Sequence, residues 1–220
     1  MSIVKNTSGG FLGDGYNKAL FNVDSVYYYR PPSITNATGA ADTLSLTLPN
    51  VIYDNDTIFI ICTSQSNNII TPPSEYTALK SNANFGVYYK ISDGTEGGTL
   101  VTFGPTLNAR NIGAFILRGR GNRLFDKSSE IITSGNTVST VPSILPQKHS
   151  LVFLASYTNG KSTDPSNNGG FTDVLIDLAD NNNGNELYVW YKRSDGNSTG
   201  DVTVTWPTAI SGNGSILFSV

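Results

Sequence analysis

Apolar residues in this chain recur at every second position over short runs, and no run sustains the 3.6-residue period of a buried helix face. Leu44, Leu46 and Leu48 alternate with Ser45 and Thr47, which predicts a half-buried strand stopped by Pro49. Ile58-Phe59-Ile60-Ile61-Cys62 is apolar at consecutive positions. Such a run predicts a strand covered on both faces, at the centre of a sheet or beneath a second layer. Val26–Tyr29, Tyr76–Leu79, Val101–Phe103 and Ala114–Leu117 read as further short strands, separated by turns rich in Pro, Gly, Asn and Asp. Only Ala19-Leu20-Phe21 has room for a helical turn.

One strand is written twice. Phe85-Gly86-Val87-Tyr88-Tyr89-Lys90-Ile91-Ser92-Asp93-Gly94 returns as Leu187-Tyr188-Val189-Trp190-Tyr191-Lys192-Arg193-Ser194-Asp195-Gly196, with six identical positions. Each copy runs into Ser-Asp-Gly, where Asp can cap its own backbone and Gly supplies a positive φ. Around this strand the second half retraces the first. Pro142 answers Pro49, Leu151–Ala155 answers Ile58–Cys62, Phe171-Thr172 answers Tyr76-Thr77, and Val204-Thr205-Trp206 answers Val101-Thr102-Phe103. The step is 93 residues at the prolines and 102 at Tyr89/Tyr191, so nine extra residues fall in the Asn- and Gly-rich stretches 157–170 and 180–186. The fold expected is all-β: two tandem antiparallel β-sandwich modules of Greek-key or jelly-roll type, 25–118 and 119–220. A flexible N-terminal arm, 1–24, precedes them. Its Phe11, Leu12, Tyr16 and Phe21, set among glycines, suit either a frayed terminus or an arm that docks on a neighbouring subunit.

Composition narrows the classes. Of the 220 residues 38% are hydrophobic and only 14% charged, with 22 Gly, which fits short strands and long turns. A net charge of −3 and a pI near 5.0 argue against a nucleic-acid surface. Arg118, Arg120 and Arg123 read as a solvated linker or a protein-contact patch. Cys62 stands alone in an apolar run, so it is expected to be a buried small hydrophobe. No apolar run is long enough for a signal peptide or a bilayer span, so synthesis in a host cytoplasm without export and no membrane partner are expected.

No catalytic, metal or cofactor constellation emerges. His149 is the single histidine, and it adjoins Ser150 on what reads as a strand edge, where the two side chains diverge. The carboxylates Asp93, Glu96, Asp173, Asp177 and Glu186 border turns, and none reads as set in an apolar strand where its pKa would rise to that of an acid catalyst. The stretch Asp180–Glu186 is rich in oxygen ligands but lacks the spacing of a helix-flanked calcium loop. The protein is therefore expected not to be an enzyme. The remaining candidates are aromatic and basic. If Phe85, Val87 and Tyr89 face the core, then Tyr88 and Lys90, and in the second copy Tyr188, Trp190 and Lys192, point the other way. That face either packs on a second sheet or the sister module, or is exposed as a protein interface or a sugar-stacking platform.

The order of these pieces resembles a module common in virion proteins of tailed bacteriophages. They are Pro72-Pro73-Ser74-Glu75-Tyr76-Thr77-Ala78-Leu79, then Val87 to Glu96 with its Tyr-Lys-x-Ser-Asp-Gly-Thr-Glu, then Ala114 to Gly119. The first half carries the resemblance well and the second in part, since Asn197-Ser198-Thr199 stands in place of the Gly-Thr-Glu segment. The resemblance implies a structural role: capsid decoration foremost, otherwise a tail, baseplate or fibre component with carbohydrate-binding, receptor-binding activity. It implies other virion proteins as partners, a homo-oligomer, a host-surface glycan under the adhesin alternative, and no catalytic residues.

Overall fold

The computed structural model describes residues 18–19, 26–27, 44–64, 71–81, 84–104, 109–117, 128–133, 137–160, 164–179, 185–208 and 212–220. They form an all-β structure without helix, and every strand pairing is antiparallel. The arm candidates Phe11, Leu12, Tyr16 and Phe21 lie outside the described residues, as do Arg118, Arg120, Arg123 and the stretch 180–184.

A small ribbon pairs β1 (Lys18–Ala19) with β2 (Val26–Tyr27). The first half continues with β3 (Leu44–Thr47), β4 (Asp54–Ser64), β5 (Thr77–Ser81), β6 (Phe85–Asp93), β7 (Leu100–Phe103) and β8 (Ala109–Leu117). The second half holds β9 (Ser128–Thr133), β10 (Val138–Val141), β11 (Leu151–Asn159), β12 (Ser166–Asn167), β13 (Asp173–Ala179), β14 (Asn185–Arg193), β15 (Val202–Thr205) and β16 (Gly212–Ser219). The first half has a large sheet of order β5-β6-β4-β8 and a small sheet β3-β7. The second has β13-β14-β11-β16-β9 and β10-β15-β12. Among the described residues β9 and β12 have no counterpart in the first half, and the remaining strands map one order onto the other. Even an irregularity is shared. Leu79 is the unpaired residue where β5 meets β6, and Leu175 is the unpaired residue where β13 meets β14.

Why the central strands are apolar throughout is now clear. Along β4, Ile58, Ile60 and Cys62 point toward the small sheet and pack with Leu46, Val101 and Phe103. Phe59 and Ile61 point the other way, into a core shared by both halves. In β11, Val152 and Leu154 meet Val141, Val202, Val204 and Trp206, while Phe153, Ala155 and Tyr157 join the shared core. The alternating directions of strand side chains thus feed two cores from one strand. Four phenylalanines stack at the centre. Ring centroids are 4.9 Å apart for Phe59–Phe115, 4.9 Å for Phe115–Phe153, 5.1 Å for Phe153–Phe218 and 5.7 Å for Phe59–Phe218. Offset stacking of this kind adds to the area buried.

The halves also approach closely at β8. A Cβ placed on Gly113 would lie 3.0 Å from Ile176 Cδ1, and Asn111 Nδ2 donates to the Asn185 carbonyl at 3.1 Å. The largest core therefore lies between the halves, while each half keeps a smaller core of its own beneath its small sheet.

Candidate functional site

The strand aromatics are not exposed. Tyr88, Tyr188 and Trp190 retain 1%, 5% and 4% of their accessible surface. Of the two arrangements open to that face the structure has the packed one, since the side opposite the shared core is covered by the small sheets. Tyr88 stands edge-on to Phe103 at 5.2 Å. Tyr188 lies 5.2 Å from Trp190 and meets Trp206 edge-on at 6.2 Å. Burial raises the hydroxyl pKa of both tyrosines, and the charges of Asp164 and Asp177 add to the effect at Tyr188. Of the strand candidates only Lys90 and Lys192 reach the surface, both half-buried where β6 and β14 run into their Ser-Asp-Gly turns.

Those turns are the same object twice. Gly94 and Gly196 have φ of 88° and 90°, and Gly98 and Gly200, four residues on, have 73° and 65°. These left-handed values are cheap only for glycine. The serine hydroxyl accepts from the glycine N–H, at 2.8 Å in Gly94→Ser92 and 3.0 Å in Gly196→Ser194. The aspartate accepts from the N–H two residues on, at 3.0 Å in Thr95→Asp93 and 2.9 Å in Asn197→Asp195. Side chains thus cap backbone groups that the turn leaves without strand partners. Counting from either motif, Glu96 and Ser198 hold the same place.

What they do there differs. In the first half Glu96 folds back under the turn and is buried. Its Oε1 pairs with Lys90 Nζ at 2.8 Å and its Oε2 accepts from Ser92 Oγ at 2.5 Å. The Asp93 N–H lies 3.3 Å from Oε1. Burial alone would push this carboxyl up, but the Lys90 and Ser92 hydrogen bonds outweigh it and pull the pKa down to about 2. Glu96 also sits near Tyr76, a buried residue whose hydroxyl has no hydrogen-bond partner among the described residues. The Tyr76 hydroxyl pKa is raised by burial first, then by the charges of Glu75 and Glu96.

In the second half Ser198 is exposed and too short to reach back. Lys192 Nζ instead donates to the Gly169 carbonyl and stands 4.5 Å above the Phe171 ring. Burial lowers the pKa of this ammonium, partly offset by Asp195. An open cleft of about 160 Å³ lies at the turn, lined among others by Pro146, Val152, Lys192, Ser194, Asp195 and Ser198.

Other candidates fall elsewhere. His149 is exposed and occupies a left-handed turn at φ 73° before β11, not a strand edge. Its N–H donates to the Ser194 carbonyl at 2.9 Å, so it helps anchor the second turn by its backbone. Three carboxylates correct the expectation that none is set in an apolar strand: Glu186 is buried in β14, paired with Thr158 and Ala179, and Asp173 and Asp177 lie in β13. The place of Glu186 beside the Asn-Gly stretch made it read as loop. Cys62 is buried and its thiol pKa is raised by that burial, as expected for a small hydrophobe. No family model, no curated protein and no solved structure matches the chain.

Proposed function

We propose that this chain is a non-enzymatic structural protein of a tailed-phage particle that acts through protein–protein contacts, with capsid decoration as its role. In this reading residues 25–118 and 119–220 are two β-sandwich modules that arose by duplication, and residues 1–24 are an arm that docks on a neighbouring subunit. The observation that carries it is the doubling of strand order, bulge and turn in the two halves around one shared core. Such a stack is a stiff spacer whose strand faces are already used, leaving turns and outer small sheets for contacts. Exposed Val51, Tyr53 and Leu100 in the first half, and Leu145 in the second, lie on such segments and give a partner apolar surface to cover. The sugar-stacking alternative needs an aromatic platform, and Tyr88, Tyr188 and Trp190 are buried.

The test is location. Particles purified from a lysate of the encoding phage are separated into heads and tails and analysed by quantitative mass spectrometry. Head-associated copies in a fixed ratio to the major capsid protein are the expected result. Absence from both fractions overturns the reading, and a tail-only signal moves the role to the tail or baseplate.

A further inference from the structure

The two turns supply a control for each other. Glu96 in the first half is, in chemical terms, a carboxylate ligand built into the chain and held by a lysine ammonium and a serine hydroxyl. The second half keeps the lysine, the serine and the glycine geometry, but has no carboxylate at the equivalent place. We infer that the cleft beside Ser198 is a binding site for a carboxylate supplied from outside the chain, and that its ligand is a glutamate side chain of a partner protein.

Three features carry this. First, the donors match: Lys192 corresponds to Lys90, and Ser194 to Ser92. Ser194 Oγ accepts from Gly196 N–H at 3.0 Å and has its own O–H to donate, as Ser92 Oγ donates to Glu96. Second, the Lys192 ammonium is half-buried and bonded to a neutral carbonyl and a ring face, with exposed Asp195 the carboxylate that acts on it through its charge. An ammonium has three N–H donors, so Lys192 can keep that carbonyl and add the charge-assisted bond to a carboxylate that Lys90 already has. Third, the space is present: about 160 Å³ with Pro146 and Val152 as apolar wall, suited to the methylenes of a glutamate. A glutamate is favoured over a sugar acid because Glu96 shows that this side chain satisfies the arrangement.

This inference rests on the reading of the protein as one that works through protein contacts, but its test is independent of particle location. N-acetyl-L-glutamic acid α-amide is titrated into the full chain and followed by ¹H–¹⁵N NMR. Saturable shifts are expected at the amides of Ser194, Asp195, Gly196 and Ser198, with those of Ser92 to Glu96 unmoved. Ser198→Glu rebuilds the first-half arrangement within the chain, so it should abolish those shifts and raise the Tm. Lys192→Met should weaken binding at least tenfold. Should that variant fail to fold, the exposed Ser198→Glu still decides. The absence of saturable shifts, equal shifts at both turns, or undiminished binding by Ser198→Glu would each overturn the inference. So would glucuronate binding in the cleft where the glutamate amide does not.

Discussion

The turns after β6 and β14 have one backbone and two electrostatic endings. Ser-Asp-Gly and the second glycine four residues later set the same dihedrals and the same capping bonds in both. The residue two places after the first glycine then decides whether the neighbouring lysine is sealed or left at an open cleft. Glu96 seals Lys90; Ser198 leaves Lys192 to a carbonyl and a phenylalanine face. Conformation and charge balance are thus separable, being carried by different residues of one short loop. The two halves share the first and differ in the second.

The two halves can be compared only if they share a core, and the largest expected effect tests that. Phe59→Ala removes the ring that stacks on Phe115 within its own half and on Phe218 in the other. Truncating a fully buried phenylalanine costs about 3–5 kcal/mol. Chemical denaturation followed by Trp190 and Trp206 fluorescence, both in the second half, should show that loss although the substitution is in the first. Tryptophan signals that hold their midpoint while first-half amides lose exchange protection would mean that the halves unfold separately.

Next in size is the sealing carboxylate. Glu96→Gln leaves Lys90 without its counter-ion in a place only 21% exposed, and should destabilise by about 2 kcal/mol at neutral pH. Ser198→Gln, at the matching exposed position, should stay within about 0.5 kcal/mol of wild type. Equal effects at the two sites would erase the distinction between a sealed turn and an open one.

The same pair gives a pH prediction. The Glu96 carboxyl is held at about 2 in the folded protein against an ordinary value of 4.5, so it is depressed by folding. Its contribution to stability is then complete above 4.5 and lost as pH falls from there toward 2. The gap in unfolding free energy between wild type and Glu96→Gln should therefore be widest near neutrality and close across that window. A gap that stays constant with pH would mean that the charge of Glu96 is not what holds Lys90.

Much of this frame was legible in the residues. Alternation placed β3, consecutive apolar positions placed β4 at a sheet centre, and Ser-Asp-Gly placed both turns, because each signal is local. That Tyr88 and Trp190 point away from the Val87 and Val189 face was legible, but what they meet there was not. A strand covered on both faces needs apolar residues at every position, and an aromatic looks alike whether it meets solvent or a second sheet. What covers it is a small sheet, and that sheet forms only when β7 pairs with β3 and β15 with β10, strands far apart in sequence. Ser139 hid for a similar reason. It occupies the inward place that Leu46 holds in the first half, and its hydroxyl is satisfied by Ser215 at 2.7 Å, with Ser156 next at 3.0 Å. A polar residue on an inward face reads as outward until its partners are known. The Glu96–Lys90 pair had a sequence signal that went unused: the replacement of Glu96 by Ser198 beside a retained lysine.

The smallest effect concerns Tyr76 in the first half, which answers Phe171 in the second. Its buried hydroxyl finds no hydrogen-bond partner among the described residues. A buried unpaired hydroxyl costs stability, so removing it is neutral or favourable where the remaining shape is unchanged. Tyr76→Phe should accordingly leave stability unchanged or raise it by up to about 1 kcal/mol, measured from urea midpoints. The reverse change, Phe171→Tyr, puts a hydroxyl near Lys192 and should cost less than about 1 kcal/mol if that hydroxyl is hydrated or bonded. A loss above about 2 kcal/mol for Tyr76→Phe would mean that the hydroxyl is bonded after all, and that the two rings differ in role as well as in chemistry.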